Sequence, residues 1–246
     1  VLEEMARAIY REWFVHFRYP GHENATLVDS AIGPIPEDWQ VGTVADLCSS
    51  VRAGGTPLRA NAAFWDEPEV DWYKTGDLTD SILTGSSEKI AMAAIELRTS
   101  RLFEPETILM AIYGSPTVGR LGLVETPSSA NQAALGLMAN TDTSTTEYLW
   151  FALRGLREHL NQIAQGAAQQ NVSKAKVVSA AVMIPPRTLV RSFTEDVAPQ
   201  WRFAHRLVRQ SEGLAAMRDL LLPKLVTGQM AVSSLDLDAL MGESVA

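Results

Sequence analysis

Six hydrogen-bonding side chains fall within eight positions: Gln169, Gln170, Asn171, Ser173, Lys174 and Lys176. A side-chain amide offers a donor and an acceptor side by side, which fits the major-groove edge of adenine. Ammonium and hydroxyl groups suit phosphate oxygens, contacts that fix position without reading sequence. The segment therefore has the chemistry to meet a nucleic acid duplex through Gln169, Gln170, Lys174 and Lys176. Asn171 and Ser173 are expected to cap a short following helix instead. Arg52 and Arg59 bracket the turn Gly54-Gly55-Thr56-Pro57, and Lys74, Ser115 and Arg120 lie on or beside further predicted loops. Those five complete the candidates for DNA contact, with arginine suited to guanine. Asn131-Gln132 is assigned to hydrogen bonds within the fold. Trp65, Trp72 and Tyr73 are assigned to packing, since a duplex exposes no base faces on which to stack.

Catalytic constellations are not found. The sequence lacks the Asn/Asp-Pro-Pro-Tyr motif that holds a target amine in amino-methyltransferases; Ile184-Pro185-Pro186-Arg187 has neither flanking residue. It has no Gly-x4-Gly-Lys phosphate loop and no Gly-x-Ser-x-Gly elbow. His16, His22, His159 and His205 lack ligand spacing, and the lone Cys48 cannot build a zinc site. Glu67, Glu69 and Asp71 have no lysine at nuclease spacing and are read as a solvated loop. No catalytic residue, metal or cofactor is expected.

The 246 residues can bury one or two cores. Net charge is −8, which argues against wholesale coating of nucleic acid. The excess is uneven. Residues 1–48 carry 3 basic and 8 acidic side chains, residues 49–190 carry 12 and 14, and residues 191–246 carry 6 and 7. A positive face is therefore best sought in the middle. There is no apolar run long enough for a membrane span, and a cytoplasmic location is expected.

An α+β fold must position these groups. Leu2, Met5, Ile9 and Trp13 recur at helical steps, and Pro20-Gly21 closes a helix over 1–18. Strands are predicted at Val70–Tyr73, Thr107–Ala111, Val118–Val124, Ala133–Met138 and Val182–Ile184. A helix from about 145 carries the stripe Leu149, Leu153, Leu156, Leu160 and Ile163, with Ser144 and Glu147 as a capping box and Gly166 as its stop. A last helix runs over 188–226, with a break at Pro199. Beyond it Phe203, Leu207, Gln210, Leu214, Met217 and Leu221 form a heptad seam. The divisions are 1–20, 21–187, 188–230 and a tail over 231–246.

Arg11-Glu12-Trp13-Phe14, with glycine at 21, echoes Arg218-Asp219-Leu220-Leu221, with glycine at 228, at a constant offset of 207. The echo makes the chain one globular module and its helix, preceded by the end of an equivalent helix. Met5, Ile9 and Trp13 are then expected to pair with Phe203, Leu207, Leu214 and Leu221 as an antiparallel coiled coil.

Four stretches resemble the specificity subunit of type I restriction-modification systems. Arg11-Glu12-Trp13-Phe14-Val15-His16-Phe17-Arg18-Tyr19-Pro20-Gly21 is similar to the end of that family's central helical region. Ile32-Gly33-Pro34-Ile35-Pro36-Glu37-Asp38-Trp39 with Gly54-Gly55-Thr56-Pro57 is similar to the opening of a target recognition domain. Gly114-Ser115, Gly119 and Asn131-Gln132 resemble its middle. Gln170-Asn171-Val172-Ser173, Pro185-Pro186 and Arg218 to Gly228 resemble its exit and distal helix. The resemblance implies a non-catalytic reader of one half of a split double-stranded DNA site. Its implied partners are methyltransferase (M) subunits, which methylate adenine N6 with S-adenosylmethionine, and a restriction/translocase (R) subunit. One recognition domain implies a second, in cis on a longer subunit or in trans on a second copy. The alternative is a helical assembly module whose globular part binds protein.

Overall fold

The computed structural model describes residues 1–114, 117–165 and 171–229. In chain order the elements are helix α1 (Leu2–Phe14), strands β1 (Leu27–Val28), β2 (Ile35–Pro36), β3 (Gln40–Thr43), β4 (Cys48–Ala53), β5 (Val70–Tyr73), β6 (Ser81–Leu83) and β7 (Lys89–Ile90), and helix α2 (Met92–Glu96). Then come β8 (Ile108–Ala111), β9 (Leu121–Val124), β10 (Ser129–Ala130), β11 (Ala134–Ala139), α3 (Thr146–Gly155), α4 (Arg157–Gln165), α5 (Lys174–Val178), β12 (Ala181–Ile184) and α6 (Arg187–Val226). The α+β expectation holds, with a long C-terminal helix. The packing divides the chain into one unit over 1–203 and another from Ala204 onward.

The first unit is built on a five-stranded sheet in the order β4-β11-β8-β9-β6, antiparallel except for the β6–β9 pair. Strand β8 is buried along its whole length, as its unbroken apolar run Ile108-Leu109-Met110-Ala111 requires. At Gly136 in β11, a Cβ would lie 2.3 Å from the Phe103 ring, so glycine lets that ring lie against the strand. A smaller sheet, β10-β5-β7, packs Trp72, Val70 and Ile90 on Phe64 and Ala94. Pairs β1–β2 and β3–β12 complete the strands.

Two half-buried groups tie the main sheet to α4. Arg157 donates from Nη1 to Asp80 Oδ2 at 2.7 Å and from Nε to the Gly119 carbonyl at 2.8 Å, while its Nη2 closes a fork on Asp80. Burial alone would raise the Asp80 carboxyl; the Arg157 bonds and the Leu121 amide outweigh it and bring it below the usual range.

Three expectations about helices need correction. Ser144 and Glu147 form no capping box: Thr145 is the cap, accepting the Tyr148 amide at 3.2 Å, while Glu147 is buried. The helix from 145 is two helices, α3 and α4, meeting at Gly155–Arg157 where glycine weakens helical continuity. Helix α6 runs unbroken through Pro199 for 40 residues. Loss of that amide bond costs about 3 kcal/mol, and burial of Val197, Ala198 and Trp201 around it offsets the cost.

Helix α1 packs on the first unit through aromatic rings. Trp13 is buried against Phe193, with ring centroids 6.0 Å apart. Phe14 meets Tyr148 at 4.9 Å and Phe193 at 5.1 Å, and Tyr10 stacks on Phe151 at 5.5 Å. These stacked and edge-to-face rings hold α1 on the first unit. Ile9 is half-buried, whereas Met5 is exposed. Phe203, Leu207, Leu214 and Leu221 are also exposed, at 48%, 44%, 64% and 38%.

Candidate nucleic-acid interface

The turn after β4 organises the site. A Cβ on Gly54 would stand 2.2 Å from the Ala130 carbonyl oxygen, and one on Gly55 would stand 2.5 Å from that of Thr99. Only glycines let the backbones approach so closely. The Gly55 carbonyl then accepts from Ser100 Oγ at 2.8 Å and from Trp72 Nε1 at 3.0 Å. One peptide group thus joins the segment after α2 to β5. It fixes Arg52, which precedes the turn, and the stretch leading to Arg59, which follows it.

Arg59 and Lys74 come together on a carboxylate that sequence reasoning missed. The Arg59 guanidinium carbon lies 3.7 Å over the Trp65 ring, and Nη2 is 2.5 Å from Glu88 Oε2. Glu88 Oε1 accepts from Lys74 Nζ. The bonds from Lys74 and Arg59 hold the Glu88 carboxyl below its ordinary range, so it is ionised at neutral pH. Trp65 is steadied edge-on against Trp72 at 5.6 Å and by its own bond to the Leu58 carbonyl. Two cations and one anion leave a single net positive charge, and the Arg59 side chain remains 57% exposed.

A second cluster carries no such anion. Arg52, Arg98 and Arg101 line one pocket of about 400 Å³ with Ile95, Ser100 and Leu102. Lys174, on the first turn of α5, donates to the Val51 carbonyl at 2.6 Å, next to Arg52 on the edge strand β4. Lys176 is exposed two residues on, in the same turn, and Ser173 caps the helix by accepting the Lys176 amide at 3.3 Å. Asn171 is structural: its Oδ1 accepts the Gly114 amide at 3.3 Å. Asn131 accepts the Ala133 amide at 3.1 Å, and Gln132 takes the Thr56 hydroxyl. Arg120 belongs to the turn between β8 and β9, two strands across the sheet from β4. Ser115, Gln169 and Gln170 lie outside the described residues.

Burial pushes the Cys48 thiol up to about 12, far from a neutral-pH nucleophile. Among the described residues, no group of three or more His, Cys, Asp or Glu is placed to hold a metal. No described helix is long and apolar enough to cross a membrane.

Residues 36–188, more than half of the chain, match the family model for the type I restriction modification DNA specificity domain. The chain belongs to that family. The specificity domain so defined contains both cation clusters. The type I restriction enzyme MjaIX specificity subunit of Methanocaldococcus jannaschii is 21% identical over 96% of this chain and 54% of its own length. The HindI specificity subunit of Haemophilus influenzae is also 21% identical, over 80% of this chain and 42% of its own. The chain therefore spans about half the length of the curated relatives it matches. The fold is shared with the type I restriction-modification S subunit from M. genitalium, at a TM-score of 0.61, 13% identity, and coverage of 91% of this chain and 54% of that one.

Proposed function

We propose that this specificity domain recognises double-stranded DNA by sequence, as a non-catalytic subunit acting in the cytoplasm. The family match over 36–188 carries the reading, and that range includes the Arg59–Lys74 cluster and the Arg52 cluster. Arg59 is the leading base reader. A guanidinium held over an indole and steadied by a carboxylate loses little freedom on docking, and its fork fits guanine O6 and N7. Lys74 shares its carboxylate and lies within reach of the same groove. Arg52, Arg120, Lys174 and Lys176 serve phosphate contact, and Ser115, Gln169 and Gln170 remain members of the contact set by sequence alone.

The chain reads one half of a bipartite site in this account. The exposed residues Met5, Phe203, Leu207, Leu214 and Leu221 pair with helices of a second recognition domain, in cis or on a second copy, and Ile9 and Trp13 anchor the first of those helices. M subunits dock on the assembly for adenine-N6 methylation, and an R subunit joins for cleavage. The domains follow the sequence: helix end over 1–20, recognition domain over 21–187, distal helix over 188–230, tail over 231–246. Fluorescence-anisotropy titration of the full chain with labelled duplexes tests the DNA reading. Affinity that differs at least about tenfold between duplexes at fixed salt is expected; equal affinity for every duplex would favour a helical assembly module without base reading.

A further inference from the structure

We infer that Arg52, Arg98 and Arg101 form a phosphate seat that sets the register of the domain on the DNA backbone without reading bases. The inference rests on the DNA reading proposed above and adds a site that includes two residues not suggested by the sequence. All three arginines line one pocket, and no carboxylate is among its lining residues. None of the three has an ion pair among the described residues, in contrast to Arg59, Lys74 and Arg157. Three arginines lining one pocket carry like charges that an anion between them would relieve, and guanidinium matches phosphate oxygens in a two-point fork.

The backbone at Arg98 supplies a second, independent argument. Helix α2 ends in a Schellman motif: the Arg98 amide donates to Ile95 at 2.9 Å and the Thr99 amide to Ala94 at 3.0 Å. That motif puts its turning residue in the left-handed region, a place glycine usually takes. Here the residue is Arg98, at φ +56°. A side chain in that conformation strains the backbone, and glycine would relieve it. Arginine at a position that favours glycine thus keeps a charged side chain on the lining of this pocket at a backbone cost. The rest of the pocket is held rigidly, since the buried Ser100 hydroxyl is fixed between the Gly55 carbonyl and Ser129 Oγ. Arg101 is the residue after that anchor, and Arg52 sits on β4 opposite Gly136.

The ligand class is a phosphate oxyanion, here a phosphodiester of duplex DNA. The test compares the full wild-type chain with Arg98→Gly and with Arg52→Ala/Arg101→Ala in two assays. One is thermal unfolding with and without inorganic phosphate; the other is anisotropy titration with several unrelated duplexes across a salt series. Arg98→Gly should melt at or above the wild-type temperature yet lose its response to phosphate. Its duplex affinity should fall about tenfold, by the same factor for every sequence, with the salt slope reduced by about 0.9 for each phosphate no longer neutralised. The double variant should weaken binding at least as much. A drop in melting temperature with unchanged duplex affinity would make Arg98 structural and overturn the seat. Weakening confined to one sequence would overturn it too, by making these residues readers. If wild type binds no duplex, the DNA reading fails by itself. A phosphate response abolished in both variants would then still support an anion seat, and an equal response in all three chains would remove it.

Discussion

The two cation clusters flanking the Gly54-Gly55 turn hold their charge in opposite ways. At Glu88 the carboxylate takes Arg59 and Lys74 together, and Trp65 lies under the guanidinium. Around Arg52, Arg98 and Arg101 there is a pocket and no anion among its lining residues. A cation already paired gains little from a passing phosphate, because it must give up a partner to take one. What it gains from its carboxylate is geometry, and geometry is what a base edge selects. An unpaired arginine has the reverse balance, with loose aim and full charge. The contrast teaches that counting basic residues along a chain says little about which of them can neutralise phosphate.

The largest effect should come from breaking what the two clusters share. Gly54→Ala drives a Cβ into the Ala130 carbonyl, a backbone atom that cannot step aside. It should cost about 3 kcal/mol in a urea titration and weaken duplex binding through both clusters. Arg59→Ala should then remove only one side of the contrast. Discrimination at a single base pair should fall by about 2 kcal/mol, with the other positions of the motif unchanged, as read by competition among single-base variants.

Asp80→Asn is the control outside both clusters. It leaves Arg157 without its carboxylate and should cost about 2 kcal/mol of stability while sparing duplex specificity. Its pH signature has a fixed sign. The folded Asp80 carboxyl lies below its unfolded value, so its contribution is complete above the usual carboxylate range and is lost as pH falls through the folded value. Urea midpoints taken from neutral pH downward should fall more steeply for wild type than for Asp80→Asn.

Two smaller changes sharpen the comparison of charge. Lys174→Ala with Lys176→Ala should flatten the salt slope of duplex binding by roughly 1–2 units. Glu88→Gln should act in the other direction, steepening the slope by up to about 1 unit as Lys74 and Arg59 are released, while base discrimination declines.

Much of the sheet was legible from local signals. Val70–Tyr73 and the run ending at Ala111 are short apolar stretches bounded by turns, and both are strands. The glycine pair at 54–55 marked a turn, but not why two backbones must touch there. Pro199 misled because a local rule was outweighed by the burial of Trp201 and Val197. The heptad seam of α6 was visible, and its leucines are exposed; the packing of α1 on Phe193 was not, since that contact joins rings far apart in sequence. Arg52, Arg59 and Lys74 were picked out as cations, whereas Glu88, Arg98 and Arg101 were not. Glu88 is joined to Arg59 across 29 positions and to Lys74 across 14, distances no local pattern spans. Arg98 had no mark in the sequence because its meaning lies in a positive φ.

The account rests on one claim: the domain reads sequence through Arg59 and its carboxylate, while the unpaired arginines only hold the backbone. Selection of a randomised duplex pool on the full chain, followed by sequencing, tests it most directly. One short motif should be enriched, Arg59→Ala should relax it at a single base pair, and Arg98→Gly should lower recovery without altering the motif. A pool that stays random, or a motif rewritten by Arg98→Gly and untouched by Arg59→Ala, would contradict it.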